Sequence, residues 1–182
     1  MTLSLGSCKS DVVEEVAPRN YFYGVADGFP FSNTSPKLYK DKEDLFTFIG
    51  RGATGVSIFA VINGRDVTEY PATQGELLTA AQNLDEISSL DSNFAQTAIL
   101  LIAASLETLP VGESFTLLFS QGKAYYSNRG SVTINQYDGS INRLYGDFDV
   151  EVLNIIDGTQ YIQATFEDLF FTDCPDPGLC FL

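Results

Sequence analysis

The chain has 182 residues, with 24 Asp and Glu against 10 Lys and Arg, a formal net charge of -14, no His and no Trp. Its length suits one domain with a core of its own, and 45% hydrophobic residues exceed what disordered chains carry, so the acidic side chains must lie mostly on a solvated surface. That charge opposes binding to nucleic-acid phosphates, and the absence of His excludes Ser-His-Asp, Cys-His and His-zinc chemistry.

The first motif is Leu5-Gly6-Ser7-Cys8. It resembles the bacterial lipobox, which implies cleavage before Cys8 and a diacylglycerol on its thiol. The basic and apolar regions that normally precede such a site are largely missing, so the pattern predicts a natural start upstream of Met1. Lys9 and the acidic residues after it resemble the surface-export signal of lipoproteins in Bacteroidota, which would place the domain at the outer membrane, facing the cell surface or the periplasm. Residues 1–19 are expected to be a signal remnant and tether, and residues 20–182 a single β domain. No apolar run reaches about 18 residues, so membrane contact is expected through acyl chains.

Residues 20–39 are rich in aromatics but carry Gly24, Gly28, Pro30 and Pro36, and read as a long irregular loop or edge segment. Strands follow at Leu45–Ile49 and Val56–Ile62, the latter apolar on both faces apart from Ser57 and therefore central. Asn63-Gly64 predicts a two-residue hairpin into Arg65–Tyr70, because both residues tolerate positive φ. Thr73-Gln-Gly-Glu76 has the spacing of a capping box, and Leu77, Ala81 and Leu84 follow at helical intervals, so one short helix is expected up to about Ser88. The uniformly apolar Ala98–Leu106 is read as a buried strand.

Ser114–Phe119, Ala124–Tyr126 and Ser131–Tyr137 are further strands, with Asp138-Gly139 turning the last toward Leu144. Between Leu144 and Val152 the alternation is strict: Leu144, Gly146, Phe148, Val150 and Val152 share one face. Asp157-Gly158 leads to Tyr161–Phe166 as an antiparallel partner, and the apolar face then shifts at Glu167-Asp168, where a bulge would restore registry. Cys174 and Cys180 flank a Pro/Gly turn and predict a small disulfide loop. The fold expected is mainly β, an antiparallel β-sandwich or barrel-like sheet with one short helix.

The series Gly112-Glu-Ser-Phe-Thr-Leu, Tyr125-Tyr126, Gly130-Ser-Val-Thr-Ile, Leu144-Tyr-Gly-Asp-Phe and Gln163-Ala-Thr-Phe resembles a group of uncharacterised all-β outer-membrane lipoproteins of Bacteroidota. The resemblance runs from about Val111 onward and implies a lipidated Cys, a short tether and a run of strands. It supplies no catalytic residue, and residues 71–108 depart from it and read as an insertion.

Asp138, Asp147 and Asp149 offer hard oxygen ligands for calcium, but period two puts Asp147 and Asp149 on an outward face where carboxylates serve solubility, so no metal and no cofactor is expected. Adjacent Glu167 and Asp168 should point to opposite faces, unlike the facing carboxyl pair of a glycosidase. Tyr21, Tyr23, Phe29, Phe31 and Tyr39 could form a sugar-stacking platform or pack as core, and core is the commoner use. The function expected is a non-enzymatic, lipid-anchored cell-surface domain, a binding module or an accessory subunit of an outer-membrane assembly, with other outer-membrane proteins or glycan as partners and without catalytic residues. The alternatives are a His-independent carboxylate hydrolase of glycans and a soluble structural protein without lipidation.

Overall fold

The computed structural model describes residues 20–33, 36–40, 44–52, 55–73, 109–154 and 156–174. Among these the regular structure is all β: β1 (Tyr21–Ala26), β2 (Phe29–Asn33), β3 (Lys37–Lys40), β4 (Leu45–Arg51), β5 (Ser57–Asn63), β6 (Glu69–Pro71), β7 (Ser114–Ser120), β8 (Lys123–Asp138), β9 (Arg143–Asn154) and β10 (Gly158–Asp173).

Seven of these strands close into a ring in the order β10, β3, β4, β5, β7, β8, β9 and back to β10. Every joint is antiparallel except β3 with β10, where Leu38 aligns with Phe171. A closed ring leaves few unpaired edges, which suits a chain built of long apolar strands. Of the two predicted architectures the structure therefore has the barrel. Its interior is filled by the inward half of each strand: Phe46 and Phe48, Ile58, Ala60 and Ile62, Leu118, the predicted row from Leu144 to Val152, and Ile162, Ala164 and Phe166. Most of the aromatic rings pack edge to face or tilted, with Phe22 and Phe48 at 4.5 Å between centroids and Phe148 and Phe166 at 5.6 Å, while Tyr137 and Phe171 stack at 5.7 Å.

A second apolar cluster covers the outer side of β4, β5 and β7, where Leu45, Phe59, Val61, Phe115 and Leu117 are buried and Leu109 packs onto them. This is why β5 is apolar on both faces. The predicted bulge is present: β10 slips against β9 between Phe166 and Leu169, with Asp168 at φ 54°.

Three expectations are corrected. Residues 20–39 are not an irregular loop but supply β1, β2 and β3, with β2 at the edge of the sheet as the other alternative had it, and Asp27-Gly28, at φ 54° and 72°, makes the tight turn of the β1–β2 hairpin. That hairpin pairs with β10 through β1 and fills the wedge between β10 and β4 at one end of the barrel, turning Phe22 and Phe31 inward. Secondly, Asn63-Gly64 does not make a hairpin. Both edges of β5 are taken by β4 and β7, so β6 crosses to pair with β8 instead. Thirdly, Ala124–Tyr126 and Ser131–Tyr137 belong to one strand, β8, whose ladder with β9 slips between Ser127 and Arg129. The predicted helix after Thr73, the apolar run Ala98–Leu106, the tether with Cys8, and Cys180 lie outside the described residues.

Candidate functional site

Because Phe22, Gly24 and Ala26 face inward on β1, Tyr21, Tyr23 and Val25 face out. The same alternation turns Tyr161, Gln163 and Thr165 outward on β10, and Tyr145, Asp147, Asp149 and Glu151 outward on β9. Register then brings these residues into transverse rows. Tyr23 aligns with Thr165, and Thr165 with Asp147; one step along, Val25 aligns with Gln163, and Gln163 with Asp149. Between the rows runs the inward row Gly24, Ala164, Phe148, which shows only its backbone to the outside. The result is a furrow of about 330 Å³ lined by Tyr23, Gly24, Asp147, Phe148, Asp149, Gln163, Ala164 and Thr165. Rows two residues apart give it a width of about 7 Å between backbones, and three strands give it a length of about 10 Å.

One wall is held rigidly. Tyr23 donates its hydroxyl to Glu167 Oε1 at 2.7 Å, which fixes the ring while leaving it 42% exposed. That hydrogen bond, with a smaller contribution from burial, raises the Tyr23 phenol above its ordinary value. Both oxygens of Asp147 are engaged, Oδ1 by the Thr165 hydroxyl at 2.7 Å and Oδ2 by the Asn135 amide at 2.5 Å. On the other wall Asp149 and Gln163 are exposed, and among the described residues their side chains have no hydrogen-bond partner.

A tighter cluster lies further along the same face. Glu151 is only 6% exposed and accepts hydrogen bonds from Asn128, Arg129 and Tyr161. Burial pushes its carboxyl up, but the bonds from Tyr161, Arg129 and Asn128 outweigh burial and hold it below the ordinary glutamate value. Glu151 is thereby an ionised structural anchor, unlike an acid that must keep its proton near neutral pH.

The sequence-predicted residues fare unevenly. Asp147 and Asp149 do share the outward face, but Asp138 lies at the β8–β9 turn opposite Arg143, far along the strand from the Asp147–Thr133 pair. Its carboxylate caps that turn by accepting the backbone N–H and hydroxyl of Ser140, which lower its pKa. Glu167 and Asp168 do not point to opposite faces: the bulge turns both outward, Glu167 to Tyr23 and Asp168 to the Tyr145 hydroxyl and to Arg143. The aromatics of 20–39 split by period two, with Phe31 in the core and Tyr21, Tyr23 and Phe29 exposed. Cys174 is buried at the end of β10 and is disulfide-bonded, but Cys8 and Cys180 both lie outside the described residues, so the structure names no partner. Thr165 and Gln163 carried no signal of their own; period two placed them outward, and only the pairing of β1 with β10 brings Tyr23 beside them.

Comparison of the chain with family models, with curated proteins and with solved structures finds no match.

Proposed function

We propose that this protein is a non-enzymatic binding module, held at the outer membrane by acyl chains on Cys8 with residues 9–19 as its tether. The observation that carries the binding reading is the furrow. Its aromatic wall is fixed on β strands, its opposite wall keeps unused hydrogen-bonding groups, and rigid elements hold such groups at lower entropic cost than loops. The tether would reach the domain at Asn20, whose side chain accepts the Phe170 N–H near the β8–β9 turn.

A hydrolase reading draws on Asp147 and Asp149, which flank the furrow with backbones about 7 Å apart. Against it, Asp147 is tied to Thr165 and Asn135 and Asp149 stands in solvent, so neither has the apolar surroundings a general acid requires.

Mass spectrometry of the protein isolated from its own membranes tests the anchor. A diacylglycerol-modified Cys8 at the N-terminus is expected, and an unmodified Cys8 behind an intact upstream chain would overturn it. Sustained cleavage of an oligosaccharide, lost in Asp149→Asn, would overturn the non-enzymatic reading.

A further inference from the structure

We infer that the furrow on β1, β10 and β9 takes a neutral sugar ring, with one face laid on Tyr23 and adjacent hydroxyls bonded to Asp149 and Gln163. This rests on the reading of the furrow as a binding site and names the chemical class of its ligand. Three observations converge on it.

The first is shape. Two transverse rows of outward side chains, separated by a pleat that presents only backbone from Gly24, Ala164 and Phe148, make a slot about 7 Å by 10 Å, open at the top. A slot of that size admits one or two pyranose units of a chain running across the strands.

The second is the aromatic wall. Tyr23 is 42% exposed, and its hydroxyl is hydrogen-bonded to Glu167, which stands opposite Tyr21 on the side away from the slot, so the bond favours one placement of the ring. A tyrosine held in this way offers an apolar face at a reduced entropic cost of ordering it, which suits the C–H face of a sugar.

The third is the balance of unused polar groups. Acidic residues alone would favour a cation, yet Asp147 has both oxygens committed to Thr165 and Asn135. The furrow thus keeps one available carboxylate, Asp149, directly cross-strand from one available amide, Gln163. Directly opposed side chains stand about 5 Å apart at Cβ, within reach of neighbouring hydroxyls on one ring. The carboxylate accepts two O–H bonds, and the amide accepts one and donates another. A guanidinium or ammonium group would find a single solvated carboxylate, and such an ion pair contributes little.

The test is an amide-shift NMR titration of the purified domain with linear tetrasaccharides of glucose, mannose, xylose and N-acetylglucosamine, alongside a tetra-arginine peptide. At least one saccharide is expected to shift residues 23–24, 147–149 and 163–165, with little dependence on salt between 0.05 and 0.5 M, since no charge pairing is involved (a range of about 14 Å to about 4 Å in screening length). Tyr23→Ala and Gln163→Ala should each weaken that binding about tenfold or more, while Ile141→Ser, in the distant β8–β9 turn, leaves it unchanged. Tyr23→Ala removes an exposed ring, so an unchanged melting curve separates lost binding from lost fold. Shifts at the furrow from tetra-arginine and none from the saccharides would overturn the sugar assignment and leave a binding site in place. Saccharide binding unaffected by Tyr23→Ala would overturn the site. No shift at these residues from either class would overturn the sugar assignment and the binding reading together.

Discussion

Glu151 shows how a carboxylate can be nearly buried and still keep its charge: Tyr161, Arg129 and Asn128 replace the water it loses. Its pKa in the folded chain lies below the ordinary 4.5, so its contribution to stability is fully present above about pH 4.5 and is lost as the pH falls through the lower folded value. Glu151→Gln is therefore expected to lower the melting temperature at pH 7 and to bring it closer to that of the parent protein at pH 3, as calorimetry across that range will read. Gly146 imposes a steric demand of another kind. A Cβ there would lie 2.0 Å from the Thr133 carbonyl oxygen and 2.3 Å from the Phe166 ring, so Gly146→Ala must push β9 off β8 or displace the core. Overpacking of this sort costs about 2–3 kcal/mol, to be measured by urea denaturation. Thr116 carries an interior hydroxyl that has no hydrogen-bond partner among the described residues, and Thr116→Val is expected to leave stability equal or raise it by up to about 1 kcal/mol.

At the level of elements, the β1–β2 hairpin is both wall and stopper. Its tip reaches across the end of the barrel, where the buried Ser120 hydroxyl on β7 donates to Asp27 Oδ2 at 2.7 Å. Asp27→Ala would strand that hydroxyl and place alanine at φ 54°, so a loss of about 2 kcal/mol is expected, with Asp27→Asn recovering most of it in the same denaturation assay. This hairpin also marks the boundary of what the amino-acid pattern conveys. The strands β4, β5, β7, β9 and β10 were legible because one face, or in β5 both, repeats apolar residues, and even the bulge at Glu167-Asp168 follows from a slip in that repeat. Asp27-Gly28 carried the hairpin signal that Asn63-Gly64 also carries, but Pro30 and the nearby glycines obscured the first, while the second is overridden by partners already occupying both edges of β5. Of the furrow, the outward carboxylates and Tyr23 as a candidate platform residue were legible, but not their coming together. Tyr23 and Thr165 are 142 positions apart, and no local pattern encodes which distant strand lies alongside.

For the whole molecule, the three cysteines tie the anchor and the bridge together. A Cys8 carrying a lipid thioether cannot also be the disulfide partner of Cys174, so the lipid-anchored reading requires the Cys174–Cys180 pairing. Peptide mapping without reductant that recovered Cys8 joined to Cys174 would remove both proposals at once. The ring likewise depends on the far end of the chain. Deleting residues 155–182 takes away β10, to which β1, β3 and β9 all pair, and the remaining chain is expected to give a collapsed NMR spectrum without the dispersion of a folded sheet. The parallel joint between β3 and β10 sets the order of events as well. A growing polypeptide carries Phe22 and Leu38 early, and both find first neighbours on β2 and β4, but their partners Phe166 and Phe171 come more than a hundred positions later, so a chain halted short of β10 stays unlatched.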